Sequence, residues 1–385
     1  MWLRAEGWKR RGRRTLAVAV LMASVVAGTT GSAAGTEQRV ISGAVPGTGA
    51  WLADRALGRP LPDPATAAPA RVASFFAGLS HGQQRALAHR HPLVVGNLDG
   101  APIGLRYEAN ALALAEERNR QLARAQDPAA GPRDRTAARV RAERYARLLD
   151  RTTGGATGGR QFLAFDPRGR GQVAEVHGDL GRAEHVAVIV PGSDIDLTTF
   201  DRPRDPYGTP TGMARALYAA TGHRTAVVAW VGYTTPVGLG PDAVTGRLAE
   251  AGAPRLARFA RGLVASGAPR PAVFCHSYGS VVCGLAAHRM PASDLVVAGS
   301  PGLRADTVEK LGSAARVWAA KAPGDWIDNV PHVEFLGLGH GVDPADPAFG
   351  ARSVPADRAE GHTGYFAPGT DSLRAFARIA LGVAA

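Results

Sequence analysis

The sequence predicts an α/β fold, a doubly wound and mostly parallel sheet of about eight strands preceded by an α-helical N-terminal region. Three observations carry this. Beyond residue 160, short β-branched runs alternate with longer helix-compatible stretches, the pattern of strands joined by crossover helices. Most of those runs are continuously apolar over four to six residues, as strands covered on both faces must be. Between residues 71 and 150 the apolar residues instead recur at spacings of three and four, the signature of helices.

Taken in order, residues 1–34 read as an export signal. A basic stretch ends at Arg14, an apolar run extends from Leu16 to Ala27, and Ser32-Ala33-Ala34 offers a cleavage site. Arg13-Arg14 ahead of Thr15-Leu16 admits the twin-arginine route beside an ordinary secretory one. The apolar run is short for a membrane span of about 20 residues, and an uncleaved anchor is the alternative to cleavage. Residues 35–70, rich in Gly, Pro and Ala, form an irregular lead-in. Ser80 and Gln83 then make a capping box, and Pro92 closes that helix. Tyr107, Ala111, Leu114, Ala115 and Leu122 share one helical face. Ala138, Ala142, Tyr145 and Leu149 share another, across the break "AQDPAAGPRD". The arginines of this region are expected on solvated faces. "RTTGGATGG" (151–159) joins it to residues 160–385, where the strands are "QFLAF", "QVAEVHG", "HVAVIVPG", "TAVVAWVG", "PAVFCHS", "DLVVAGS", "RVWAA" and "HVEFLG". The first two read as a hairpin across "DPRGRG".

Composition narrows the function classes. The chain of 385 residues is 45% hydrophobic and 20% charged, enough apolar content for a buried core. The net charge is +12, and five of those charges lie before residue 35, where six basic residues face only Glu6. The rest are spread among acids with no basic block interleaved with aromatics, so no nucleic-acid partner is expected. H-E-x-x-H, paired C-x-x-C, G-x-x-x-x-G-K-[ST] and G-x-G-x-x-G are all absent from the sequence, so no metal or cofactor is expected.

The chemistry centres on "FCHSYGSVVCG" (274–284). It resembles a G-x-S-x-G nucleophile turn with Cys275 in place of the first glycine. A strand through Cys275 and a helix from Tyr278 put Ser277 at a sharp strand-to-helix turn, where Gly279 allows the backbones to pass closely. Downstream, in the order nucleophile, acid, base, Asp325 follows the strand "RVWAA" and His362 lies in the loop ending "AEGHTGYF". His362 is the expected base and Asp325 its orienting acid. Asp328 competes as the acid, and His332 and His340 as bases. The expected oxyanion donors are the Tyr278 N–H and, after "HVAVIV", the Ser193 N–H, with Asp194 as its neighbour choice. Asp194 and Asp196 themselves read as turn-capping groups, and His276 as structural. Cys283 stands almost two turns into the helix, about 9 Å along its axis from Ser277, so both cysteines are expected as free buried thiols. That leaves a thiol enzyme built on Cys275 as a minor alternative.

The chain resembles a family of exported actinobacterial α/β-hydrolases long known as a domain of unknown function. The likeness rests on "FFAGLSHGQQRALAHRHPLVVGNLDGAPIGLRYEANALAL", "VPGSDIDLTTF", "CHSYGS", "VVAGSPG", "VDPADPAFGA" and "GHTGYFAPGTDSLR". The family turn usually reads G-H-S-Y-G-S, from which Cys275 departs. The resemblance implies a serine hydrolase of ester or similar acyl bonds, with Ser277 as nucleophile, His362 as base and Asp325 as acid. The substrate expected is a small-molecule or lipid-like acyl compound. A non-catalytic envelope or binding protein that keeps the fold is the alternative.

Overall fold

The helical and sheet regions predicted from the sequence both form, and they share part of their core. The structure, a computed structural model, describes residues 38–150, 159–335 and 337–383. The export signal and most of the glycine-rich joint lie outside the described residues.

The first region contains α1 (Thr48–Ala53), α2 (Pro69–Ala77), α3 (His81–Arg90), α4 (Pro92–Gly96), α5 (Ile103–Gln126) and α6 (Pro132–Leu149). The capping box forms at α3: Ser80 Oγ accepts the Gln83 N–H, and Gln83 Oε1 accepts the Ser80 N–H. Each bond satisfies a backbone donor that a helix start leaves open. Trp51, Phe76, Leu87 and Leu98 make a local core. Leu114, Tyr145 and Leu148 pack instead with Phe162, Phe165 and Val173 of the sheet. This docking corrects the expectation that the arginines are all solvated. Arg106 and Arg144 are buried. Arg106 donates to the carbonyls of Gly96 and Leu163 and pairs with Asp99 at 3.1 Å. A guanidinium carries five donors, so it can satisfy several carbonyls and a carboxylate where helix meets sheet.

The strands are β1 (Gln161–Asp166), β2 (Gln172–His177), β3 (His185–Val190), β4 (Thr225–Val231), β5 (Ala272–His276), β6 (Asp294–Ala298) and β7 (Arg316–Ala320). The short β8 (Glu334–Phe335), β9 (Leu338–Gly339) and β10 (Arg352–Val354) follow. Helices α7 (Pro210–Ala220), α8 (Pro241–Val244), α9 (Arg247–Ala265), α10 (Gly279–Ala286) and α11 (Asp371–Ala380) complete the chain. The main sheet has eight strands in the order β1-β2-β4-β3-β5-β6-β7-β10. β1 and β2 form the expected hairpin, β2 runs antiparallel to β4, and every later pairing is parallel. β5 therefore sits centrally, and its carboxyl end opens among the loops that follow β3, β6 and β7. A ligand site belongs at such a place in an open α/β sheet.

The eighth strand is not the one expected. "HVEFLG" contributes only β8, which pairs with β9 in a separate two-stranded ribbon. The eighth sheet strand is Arg352–Val354, parallel to β7. As an edge strand it has one neighbour and two exposed side chains, so its sequence carries little apolar signal.

Candidate active site

The strand-to-helix turn places Ser277 between β5 and α10 in a left-handed backbone conformation, φ +54°. A residue with a Cβ pays strain there, and such strain concentrates at functional sites. The close approach around it is explicit. A Cβ on Gly279 would lie 2.5 Å from the Val190 carbonyl oxygen, and one on Gly192 would lie 2.6 Å from Ser277 Cβ. Both positions need glycine, so the loop after β3 can press against the turn that holds Ser277.

The residues expected to act together are together. Ser277 Oγ is 2.8 Å from His362 Nε2, and His362 Nδ1 is 2.8 Å from Asp325 Oδ1. With a carboxylate facing Nδ1, the proton sits on Nδ1 and Nε2 accepts the Ser277 hydroxyl. Asp325 is buried at the start of a 3₁₀ turn, where Oδ1 also accepts the Ile327 N–H at 2.9 Å. Its Oδ2 accepts the Tyr365 hydroxyl at 2.5 Å, and that hydroxyl accepts the Ala322 N–H. Burial works to raise the Asp325 pKa, but the hydrogen bonds from His362, Tyr365 and Ile327 outweigh it and leave the pKa lowered.

Two supporting groups escaped the sequence reading. Gly299, at the end of β6 with φ +56°, leaves the space in which Asp325 meets His362. A Cβ there would lie 2.9 Å from Asp325 Oδ2 and 3.1 Å from His362 Nδ1. Its only sequence signal was its place in "VVAGSPG". Tyr365 is the other; three residues beyond His362, it looks like an ordinary core aromatic.

The remaining candidates separate. Asp328 extends to Lys321 at 2.7 Å and does not meet His362. His332 lies 3.8 Å from Asp343. His340 is buried, donates Nε2–H to the Ala243 carbonyl, and has its pKa lowered to about 4, first by burial. His276 is structural, but close to the site: its Nε2–H donates to the His362 carbonyl at 2.6 Å. Burial, then the neighbouring His362, lowers its pKa to about 3. The Asp194 N–H is bonded to the Pro236 carbonyl, which removes it as an oxyanion donor and leaves Ser193. Asp196 Oδ1 caps its own turn by accepting the Thr198 N–H, and Oδ2 pairs with Arg170 at 2.8 Å. Asp194 Oδ1 instead accepts the N–H of Gly238, 44 residues away, and ties two loops together rather than capping its turn.

The cysteines overturn the expectation of free thiols: Cys275 and Cys283 form a disulfide, with Cα atoms 6.5 Å apart. The rise along the helix from Ser277 does not separate the two cysteines, because the helix folds back alongside its strand. Two residues back along β5 and six along α10 travel in the same direction, so the two positions meet side by side. The bond also removes the Cys275 thiol as a nucleophile.

Ser277, Ser193 and Tyr278 border a cavity of about 320 Å³ walled mainly by apolar groups, among them Leu239, Val244, Trp326, Ile327, Val330 and Leu338. The Trp326 ring packs against His362 with centroids 4.3 Å apart.

Residues 166–335 match a family model described as alpha/beta hydrolase. Two uncharacterized proteins of Mycobacterium tuberculosis, Rv2079 and MT2140, are each 28% identical over 378 residues, covering 84% of this chain. The chain spans only 57% of the length of these relatives. Among solved structures, XC6422 from Xanthomonas campestris, described as an a/b serine hydrolase without lid, is 14% identical at a TM-score of 0.35. It covers 58% of this chain and 94% of its own. A predicted CIB-like hydrolase from Thermoplasma acidophilum is 16% identical at a TM-score of 0.31, over 58% of this chain and 95% of its own. These likenesses concern the fold alone.

Proposed function

We propose that this α/β-hydrolase chain is a serine hydrolase that cleaves an ester or similar acyl bond through an acyl-enzyme. The observation that carries the reading is the pair of 2.8 Å contacts linking Ser277 Oγ, His362 and Asp325 on a strained turn beside a cavity. His362 Nε2 takes the Ser277 proton as Oγ bonds to the substrate carbonyl carbon, and the carbonyl electron pair moves onto oxygen. The Tyr278 and Ser193 N–H groups receive that oxyanion. When the intermediate collapses, the bond to the leaving group breaks and His362 returns the proton to it. Water then repeats the sequence on the acyl-enzyme and releases the acid. Asp325 keeps the Nδ1 proton in place and stabilises the imidazolium.

The chain's own groups suffice for these steps. Export, by either route, is part of the proposal, and the Cys275–Cys283 bond supports it because disulfides persist in oxidising compartments. A fluorophosphonate probe tests the reading: it should label the wild type and not Ser277→Ala. Undiminished labelling of the variant rules out Ser277 as the nucleophile. No labelling and no ester hydrolysis by the wild type favours the non-catalytic alternative.

A further inference from the structure

Ten large apolar side chains are exposed among the described residues. Five of them, Val237, Leu239, Trp326, Val333 and Phe335, stand on the two segments that frame the Ser277 cavity, so the exposed apolar surface is concentrated at its mouth. Leu239 is 65% exposed and Trp326 38%, yet both also line the cavity. Through these two side chains the apolar wall continues outward onto the surface. Phe335, 65% exposed, pairs directly across the ribbon with Leu338. Opposed residues of a strand pair point to the same side, and Leu338 lines the cavity, so Phe335 extends that wall as its outer rim.

We infer that this rim docks the protein on a neutral, zwitterionic lipid surface, and that the bond cleaved is the ester of a lipid whose apolar chain enters the Ser277 cavity. The inference rests on the serine-hydrolase reading for its chemistry. The docking itself does not need turnover. Patches of this kind mark interaction surfaces, and here the cavity selects the occupant. A small polar ester would leave the rim in water. A protein seated on the rim would close the only purpose the continuity serves, entry of an apolar group from outside to Ser277. A lipid surface covers the rim and supplies that group in the same contact. The neighbouring charges fix the kind of surface. Arg304 faces Glu334 at 3.2 Å and Glu250 at 3.7 Å, and Lys321 faces Asp328 and Asp343 at 2.7 and 2.8 Å. These cations are already paired and are not set out to collect anionic headgroups.

The test uses the full chain with Ser277→Ala, so that binding is read without hydrolysis, and phosphatidylcholine vesicles in a flotation assay. A second version adds Val237→Ser and Phe335→Ser, neither of which lines the cavity. The apolar run Leu16–Ala27 is common to both versions, so the difference between them reports the rim. Removing the two rim side chains should weaken partitioning by about ten-fold or more. With Ser277 restored, hydrolysis of short, soluble p-nitrophenyl acetate should be unchanged by the rim substitutions, and hydrolysis of phosphatidylcholine in vesicles should fall with the partitioning. Equal partitioning of the two versions overturns the inference. So does a concentration-dependent dimer, seen by light scattering without lipid, that the rim substitutions dissociate. Failure of the serine-hydrolase reading would appear separately, as absent fluorophosphonate labelling and absent acetate hydrolysis with the vesicle result intact.

Discussion

Two buried polar networks in this protein use similar groups to opposite ends. One joins Tyr365, Asp325, His362 and Ser277. The other joins Thr211, Glu175, Arg160, Asp201 and Arg144, where helix α6 docks on the β1–β2 edge of the sheet. In the second, Arg160 reaches both Glu175 oxygens at 2.6 and 2.8 Å and Asp201 at 2.7 Å. Burial acts to raise the Glu175 pKa, but His177 and Arg160 overcome it and hold the carboxyl well below its usual range. Its charges meet one another inside the protein. The first network ends instead in a hydroxyl beside a cavity, on a backbone turn that costs energy to hold. A closed network fastens two regions, whereas an open one leaves a hydroxyl at its end facing a cavity, as the proposed nucleophile would be.

Breaking each network should therefore give different losses. Ser277→Ala removes the open end and should lower kcat/KM for a soluble ester by a factor of about 10⁴ or more. Its melting temperature should stay at the wild-type value, because no buried charge loses a partner. Glu175→Gln removes one carboxylate facing Arg160. It should destabilise the fold by about 3 kcal/mol, roughly 4 °C in Tm for a chain of this length, while the folded fraction keeps its turnover. If Glu175→Gln instead lowers turnover with Tm unchanged, the division of labour between the networks is wrong.

The disulfide lies between these cases, next to the open network but part of the frame around it. Replacing both Cys275 and Cys283 with alanine should cost about 2.5 kcal/mol by the loop-entropy argument for a short crosslinked segment. Denaturant unfolding measures it. Turnover at 25 °C should persist, because Gly279, Gly192 and the strand pairings still shape the turn. A large loss of turnover without loss of stability would make the bond a positioning element of the open network.

The two networks also differ in how far the sequence disclosed them. Ser277 and Asp325 were legible because each follows a strand of strong apolar character, and His362 because the order of the three along the chain is constrained by their roles. The docking network was not legible. Arg144 and Arg160 look like surface arginines, and only the contact between helix and sheet turns them inward. Distance in sequence hides such pairs, as it hid Tyr365, whose hydroxyl finds Asp325 forty residues upstream. The final strand was misplaced for a related reason. "HVEFLG" is apolar although its Val333 and Phe335 are exposed beside the cavity, and "RSV" is polar because it edges the sheet. Apolarity reports burial or a binding surface, and it does not say which.

The smallest expected effect is also the finest test of the comparison. Tyr365→Phe removes one of the donors that hold Asp325 ionised and leaves the Ala322 N–H without its acceptor. The loss of one hydrogen bond to a charged group should cost about 1.5 kcal/mol, near ten-fold in kcat/KM. The pH profile gives the more specific reading. Asp325 has a lowered pKa, so the charge that orients His362 is present above that pKa and lost as pH falls through it. With the Tyr365 donor gone, the Asp325 pKa rises, and any acid limb of kcat/KM that reports Asp325 should move to higher pH. Thr211→Val removes a hydroxyl from Glu175 in the docking network in the same way. It should alter Tm but leave the pH profile of kcat/KM in place. If both variants move the acid limb alike, the two networks are coupled, and the separation between a closed fastening and an open reactive chain fails.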